Sequence, residues 1–576
     1  MNGESPVTEP DGRPVGLPLR RAARRGYTVI YKNRTLLSTV DPITKAERTA
    51  AAVPLLDRTL YFCPSPLLGY GLDTLLSLIS AGSAVLCLET DEKLFDLSQS
   101  SIDQSIFNDP RIVLSSIKDG TELCRFVRKT WGPRVFRRLE TIRLSGGWQL
   151  DPGYDTMAEL LRGDIAVDWG NAMTLIKLGR CFIRNVLRNL VMADQFITDM
   201  SFGSKPVLVL GAGPSLDPFL DNLQKTDLFQ NKTERPFVLV CVDSCLAPLK
   251  ERSIVPDLAV ILESQYWNLR DFTGSRNAGI PAAVDLSAYP ATVNILGGPV
   301  FFFFTPWTPL QFFRRIKESG LLPPVLLPLG SVGLCAVELA RRLSSGPVIC
   351  TGIDFSFSLD CLHARSSPAR LSSLLAQNRF TSPFNTEAVF RAGVFNTFSK
   401  SKNPVKSDPA MQTYRNLFEQ EFSGGRIMDI AGSGLSLGLE TLTTEDAAVL
   451  LAGNTGRQQK PVQTTTENNN NELHDSGGGP DSRNGRLLNF IQKEKTALEE
   501  LRAMLTGSRE YSAGPQGIPE KALDEADYLW AHFPDCAGAE GRRPPASDLG
   551  FLKRVRAEID PFIKLWELLE KENKRK

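Results

Sequence analysis

The stretch Lys205 to Asp217 reads KPVLVLGAGPSLD, and its interpretation decides the fold of the chain. Val207 to Leu210 is uniformly apolar and partly β-branched, the pattern of a strand covered on both faces of a parallel sheet. It stops at Gly211. Gly211 and Gly213 let a backbone approach something closely, and Pro214 with Ser215 suits the first turn of a helix whose amides face back over the loop. Such a turn is built either to hold phosphate or simply to make a tight strand-to-helix connection, and the loop alone does not separate the two.

Working outward, the region from about Asp199 to Leu451 alternates strands and helices, which predicts an open α/β sheet with helices on both faces. Candidate strands are Val207 to Leu210, Phe237 to Val242, Leu258 to Leu262, a run near Val300 to Phe304, and Val348 to Thr351. Ligands of such sheets bind beyond the carboxyl ends of the strands, so the strand ends carry the candidate site. They read Gly211, Ala212, Gly213, Pro214 and Ser215; then Asp243 and Ser244; then Glu263, Ser264 and Gln265; then Gly352, Ile353, Asp354 and Phe355. PLGSVG at 328 to 333 adds a glycine-containing helix start with Ser331.

Before this unit, 27–198 reads as a Rossmann-like domain ending in helices, with strands YTVIY from Tyr27, Thr59 to Cys63, AVLCLE, and Ile112 to Ser115. A helix is expected over Thr121 to Thr130 and another over Ala172 to Met192. Gly69 and Gly71 at a strand-helix turn, with Glu89 closing the next strand, have the layout of a mononucleotide half. The turn lacks a third glycine, which favours a structural half over an occupied one. Residues 1–26 carry five arginines and no apolar core segment, so they read as a flexible N-terminus rather than a secretion signal. After the central unit, 452–486 is rich in Asn, Gln, Thr and Gly and is expected to be a linker. Residues 487–576 read as a helical C-terminal module, with apolar helical spacing over Leu487 to Leu505 and Leu549 to Glu570 and a kink or restart at Pro561.

With 576 residues, 42% of them hydrophobic, the chain holds several globular units. A net charge of +1 gives no field that argues for nucleic acid as a partner. The longest oily run, near Val300 to Phe304, is too short for a membrane span. Ten cysteines scattered without a C-x-x-C pair indicate buried thiols in a cytoplasmic protein. Only three histidines occur, and His363 alone lies in the central unit, nine residues beyond Asp354. That places a side chain with a pKa near working pH by the functional end of the sheet, suited to a general base. No D-x-D pair, no His/Cys cluster and no G-x-x-x-x-G-K-[ST] is present, so neither a metal nor a cofactor is expected.

GAGPSLD, VDSCLAPLKERSIVPDLAVILESQ, PLGSVGLCAVELA and TGIDFSFSLDCLHA together resemble the motility-associated factor (Maf) flagellin glycosyltransferases, whose central domain is shared with an archaeal pterin diphosphokinase. YFCPSPLLGYGLDTLL with VLCLETDEKLF resembles that family's N-terminal domain. GAGPSL and GIDF are also similar to motifs of bacterial sialyltransferases that use CMP-sialic acid, where Ala212 replaces an amide side chain. The resemblance implies transfer of a nonulosonic acid from a CMP-activated donor to flagellin Ser/Thr hydroxyls. His363 and Asp354 would then be catalytic, and the amides of Gly211 to Ser215 would hold the single phosphate without a cation. The alternatives are a pterin diphosphokinase-like enzyme and an inactive flagellin-binding assembly factor.

Overall fold

The structure is a computed structural model that describes residues 16–132, 134–225, 228, 235–380, 386–453, 482–506, 520–534, 536 and 543–574. The chain divides into two compact units, Met1–Gly179 with Trp530–Asp548, and Arg180–Leu529 with Leu549–Lys576.

In the first unit, β1 (Leu19–Ala22), β2 (Tyr27–Tyr31) and β3 (Arg34–Thr35) form a small antiparallel sheet. Leu19–Ala22 had been expected inside a flexible N-terminus; its pairing with β2 makes it part of the fold. The parallel sheet comprises β4 (Thr59–Pro64), β5 (Ala84–Leu88), β6 (Ile112–Ser115) and β7 (Arg138–Thr141), in the order β6-β5-β4-β7. Alternate residues feed two cores. Tyr61, Cys63, Val85 and Cys87 pack with Leu72, Leu75 and Ile79, whereas Leu60, Phe62, Leu86 and Leu88 pack with Leu123, Val127 and Leu161. The turn glycines serve this packing: a Cβ on Gly69 would press on Ile102 and one on Gly71 on the Ala46 carbonyl. Glu89 is buried, accepting hydrogen bonds from Ser65 Oγ (2.6 Å) and the Tyr154 hydroxyl (2.7 Å).

The second unit is built on an eight-stranded sheet. Its strands are β8 (Val207–Leu210), β9 (Val238–Val242), β10 (Leu258–Ile261), β11 (Ile280–Asp285), β12 (Gly297–Phe303) and β13 (Val348–Thr351). A hairpin of β14 (Phe395–Phe398) and β15 (Pro404–Ser407) follows, then β16 (Ile427–Ile430) and β17 (Glu440–Leu442) return to the sheet. The order is β12-β11-β10-β9-β8-β13-β16-β17, and every pairing is parallel. Strand succession runs outward from β8 in one direction and jumps to β13 for the other. The topological switch point therefore lies between β8 and β13, where open α/β sheets leave a crevice beyond the strand ends.

The helix expected over Ala172 to Met192 is longer, Gly153–Met192, and its part from Arg180 onward belongs to the second unit rather than to a domain ending at 198. The C-terminal residues are not a separate module. Helices Arg483–Thr506 and Leu549–Asn573 lie in the second unit, where Phe490, Tyr528 and Trp566 surround Phe312 at ring-centroid distances of 6.1, 4.6 and 6.4 Å. Arg315 reinforces this seam with a two-pronged pair to Glu494 (2.6 and 2.9 Å). The first of these helices begins inside the expected linker, whose residues 454–481 lie outside the described residues. The second runs through Pro561 without restarting. No helix among the described residues is long and apolar enough to cross a membrane.

Candidate functional site

The loops after β8 and β13 meet across the switch point. Gly211 N–H donates to the Thr351 carbonyl and Gly213 N–H to the Gly352 carbonyl, each at 2.8 Å. Ser215 N–H and Ser215 Oγ donate to the two oxygens of Asp354 at 2.7 and 2.5 Å, and Gly352 N–H donates to Ser215 Oγ at 3.1 Å. The glycines are required because a Cβ on Gly211 would run into the Gly352 carbonyl, and one on Gly213 into the Asp354 carboxylate. Gly352, at φ +72°, takes the left-handed conformation that glycine favours.

This corrects the expected phosphate cradle. Three of its amides are already committed inside the protein, Pro214 has none, and among the described residues only the Ala212 N–H of this stretch lacks a partner within the protein. Asp354 is corrected too. It is buried, its oxygens fasten Ser215, and its backbone carbonyl accepts from Leu435 N–H at 2.8 Å. In this geometry it positions the loop. Burial raises its pKa, while the Lys400 charge and the Ser215 hydrogen bonds oppose the rise. Lys400 itself pairs with buried Asp429 at 2.5 Å, whose pKa burial lifts to about 6 against that same cation.

His363 belongs to the segment after β13 and comes to the β8 loop. Ala364 N–H donates to the Ala212 carbonyl (2.9 Å), and Arg365 N–H donates to Asp217 (2.7 Å) on the helix Leu216–Leu223. Asp217 also holds Arg252 at 2.8 Å. The segment is thus fastened immediately after the histidine. Burial and then the nearby Arg270 charge lower the His363 pKa, and a hydrogen bond to the Ala212 backbone opposes them.

Beyond β9 and β10 the predicted polar ends form a second cluster. Asp243 is buried and accepts from Ser244 N–H (2.8 Å) and Asn268 Nδ2 (2.7 Å). Burial first, then the Asp271 charge, raises its pKa to about 7. Exposed Glu263 accepts from the Gln265 backbone N–H (2.9 Å) and side-chain amide (3.3 Å). Buried Ser264 contributes its carbonyl to Asn185 on the long helix (2.8 Å). Ser331 precedes helix Val332–Leu343 without a side-chain capping bond, and Gly333 of that helix lies against Ile353. Phe355 adopts φ +47°, an uncommon conformation for a bulky residue, stabilised in part by Ser407 Oγ donating to its carbonyl (2.9 Å).

Sequence reading missed Asn268 and Arg270, on the 3-10 segment Tyr266–Phe272, and Lys400 with Asp429. The first two follow ESQ directly in sequence, and extending that strand end by one short turn would have found them. Lys400 and Asp429 lie 46 and 75 residues beyond Asp354, so no local pattern links them.

The comparisons with known proteins bear on the fold and the family. The family model described as 6-hydroxymethylpterin diphosphokinase MptE-like matches residues 180–360. An uncharacterized protein of Treponema pallidum (strain Nichols) is 30% identical over 579 residues, covering 98% of this chain and 97% of the relative. The chain belongs to one family with that protein. Among solved structures, the Maf glycosyltransferase from Magnetospirillum magneticum AMB-1 has a TM-score of 0.51 at 12% identity, covering 99% of this chain and 90% of that one. The chain is Maf-like in fold, with an MptE-like domain at its centre.

Proposed function

We propose that this protein is a glycosyltransferase that moves a nonulosonic acid from its CMP-activated form to a hydroxyl of a protein acceptor, flagellin in the reading that the Maf resemblance supports. One observation carries the proposal: in a Maf-like fold, His363, the sole histidine among the described residues of the sheet unit, is held beside the β8 loop at the switch-point crevice with a depressed pKa. The acceptor hydroxyl gives its proton to His363 as its oxygen bonds to the anomeric carbon, and the bond from that carbon to the phosphate oxygen breaks with its electron pair leaving on CMP. Ala212 N–H and Arg270 are the donors suited to the anionic donor substrate. Neither they nor the leaving monophosphate requires a divalent ion, and the reaction is placed in the cytoplasm.

The test is intact-mass measurement of flagellin from cells with and without the protein, together with thermal unfolding. CMP should raise the melting temperature in EDTA, and ATP with magnesium should not. The MptE-like match favours a second reading, a pterin diphosphokinase-like activity, and stabilisation by ATP with magnesium alone would select it.

A further inference from the structure

We propose that Arg270 is the carboxylate anchor of this site, the residue that restricts the donor to sugars bearing an acid group on the reacting carbon. The inference rests on the reading of the donor as a CMP-nonulosonate. In such a sugar the anomeric carbon carries the carboxylate directly, so a base poised over the acceptor hydroxyl has that carboxylate as a near neighbour.

Arg270 is where this chemistry needs a cation. Its charge reaches His363 strongly enough to be the second-largest cause of the lowered pKa of that residue. Its side chain is 51% exposed, and its closest acidic neighbour, Asp271, is at 3.6 Å, a long separation that leaves the guanidinium fork for a ligand. The segment carrying it is fixed from below. Asn268 bonds to buried Asp243 at 2.7 Å, Phe272 is buried, and helix Pro368–Leu375 packs against the segment.

The same segment exposes two large rings, Tyr266 and Trp267, with centroids 4.0 Å apart. In a 3-10 helix residues three apart eclipse, so Trp267 and Arg270 share one face. A flat apolar ring beside a planar cation matches a pyranose with its carboxylate, the ring stacking on Trp267 and the acid bridging to Arg270. A neutral aldose donor would leave the cation unpaired and gain only the stacking.

The experiment uses two probes on the full chain, CMP and the inert donor CMP-3-fluoro-N-acetylneuraminic acid, with affinities measured calorimetrically. The wild type should bind the sugar-bearing probe at least about tenfold more tightly than CMP, the scale of one charge-assisted hydrogen-bonded pair. Arg270→Gln should abolish that gap, any loss of CMP affinity being smaller than the loss for the sugar-bearing probe, and Arg270→Lys should restore part of it. Arg270→Gln should also shift the acid limb of the transfer rate to higher pH, because the cation that lowers the His363 pKa is gone. A gap that survives Arg270→Gln, or a loss that is equal for CMP and for the sugar-bearing probe, overturns the proposal. If neither probe binds the wild type, the donor reading fails and this proposal with it.

Discussion

On the proposed reading, His363 serves as the base because of where its ring is held. Burial and the Arg270 charge lower its pKa, which favours the neutral ring that can accept a proton. His363→Ala should leave CMP binding intact and slow transfer by about 10²- to 10⁴-fold, read as kcat at saturating donor. Gly213→Ala acts differently from what a phosphate cradle implies. Its new methyl meets the Asp354 carboxylate, so it should lower stability by about 1–3 kcal/mol, visible in denaturant unfolding without any ligand. Asp243 supplies a pH signature. Its pKa of about 7 in the fold exceeds the ordinary carboxylate value, so the folded state holds the proton more tightly. The stability it contributes is full below about pH 4 and is lost as pH rises through about 7. Asp243→Asn should flatten that decline in melting temperature, since the Asn268 Oδ1, now without a partner among the described residues, can turn to accept from the new amide.

At the scale of elements, the strands legible in the sequence were those with unbroken apolar runs. VLVL at β8 and VICT at β13 are buried on both faces, so their composition announces them. β11 was not legible because Pro281 and two alanines dilute the pattern, and β16 and β17 are short and carry Asp429 and Glu440. The N-terminal half of the helix Gly153–Met192 was hidden for another reason: Gly163 and Gly170 interrupt its periodicity. A Cβ at either position would meet nothing within 4 Å. Both glycines therefore cost helix stability with no packing in return. Gly163→Ala and Gly170→Ala should each stabilise the protein by about 0.5–1 kcal/mol, measured as a rise in the denaturant midpoint with unchanged slope.

At the scale of the whole molecule, the strand ends that carry the candidate site could be read locally, but the partition of the chain could not. Membership of a unit depends on contacts hundreds of residues apart: Phe312 in the sheet unit is enclosed by Phe490, Tyr528 and Trp566, and Asp527 accepts the Gln311 and Phe312 amides at the start of the helix Gln311–Glu318. An independent helical module could be removed at the 454–481 stretch without harm to the rest. The structure gives the opposite expectation. Truncation before Ser482 would strip fully buried Phe312 of its aromatic shell, leave half-buried Arg315 without Glu494, and also remove Trp530–Asp548, which belongs to the N-terminal unit. Loss of one buried aromatic side chain alone costs about 3–5 kcal/mol, a large fraction of the stability of a typical domain. The truncated chain should therefore fail to unfold cooperatively and should bind ANS, whereas retention of a sharp thermal transition near that of the full chain would show that the sheet unit folds without its C-terminal helices.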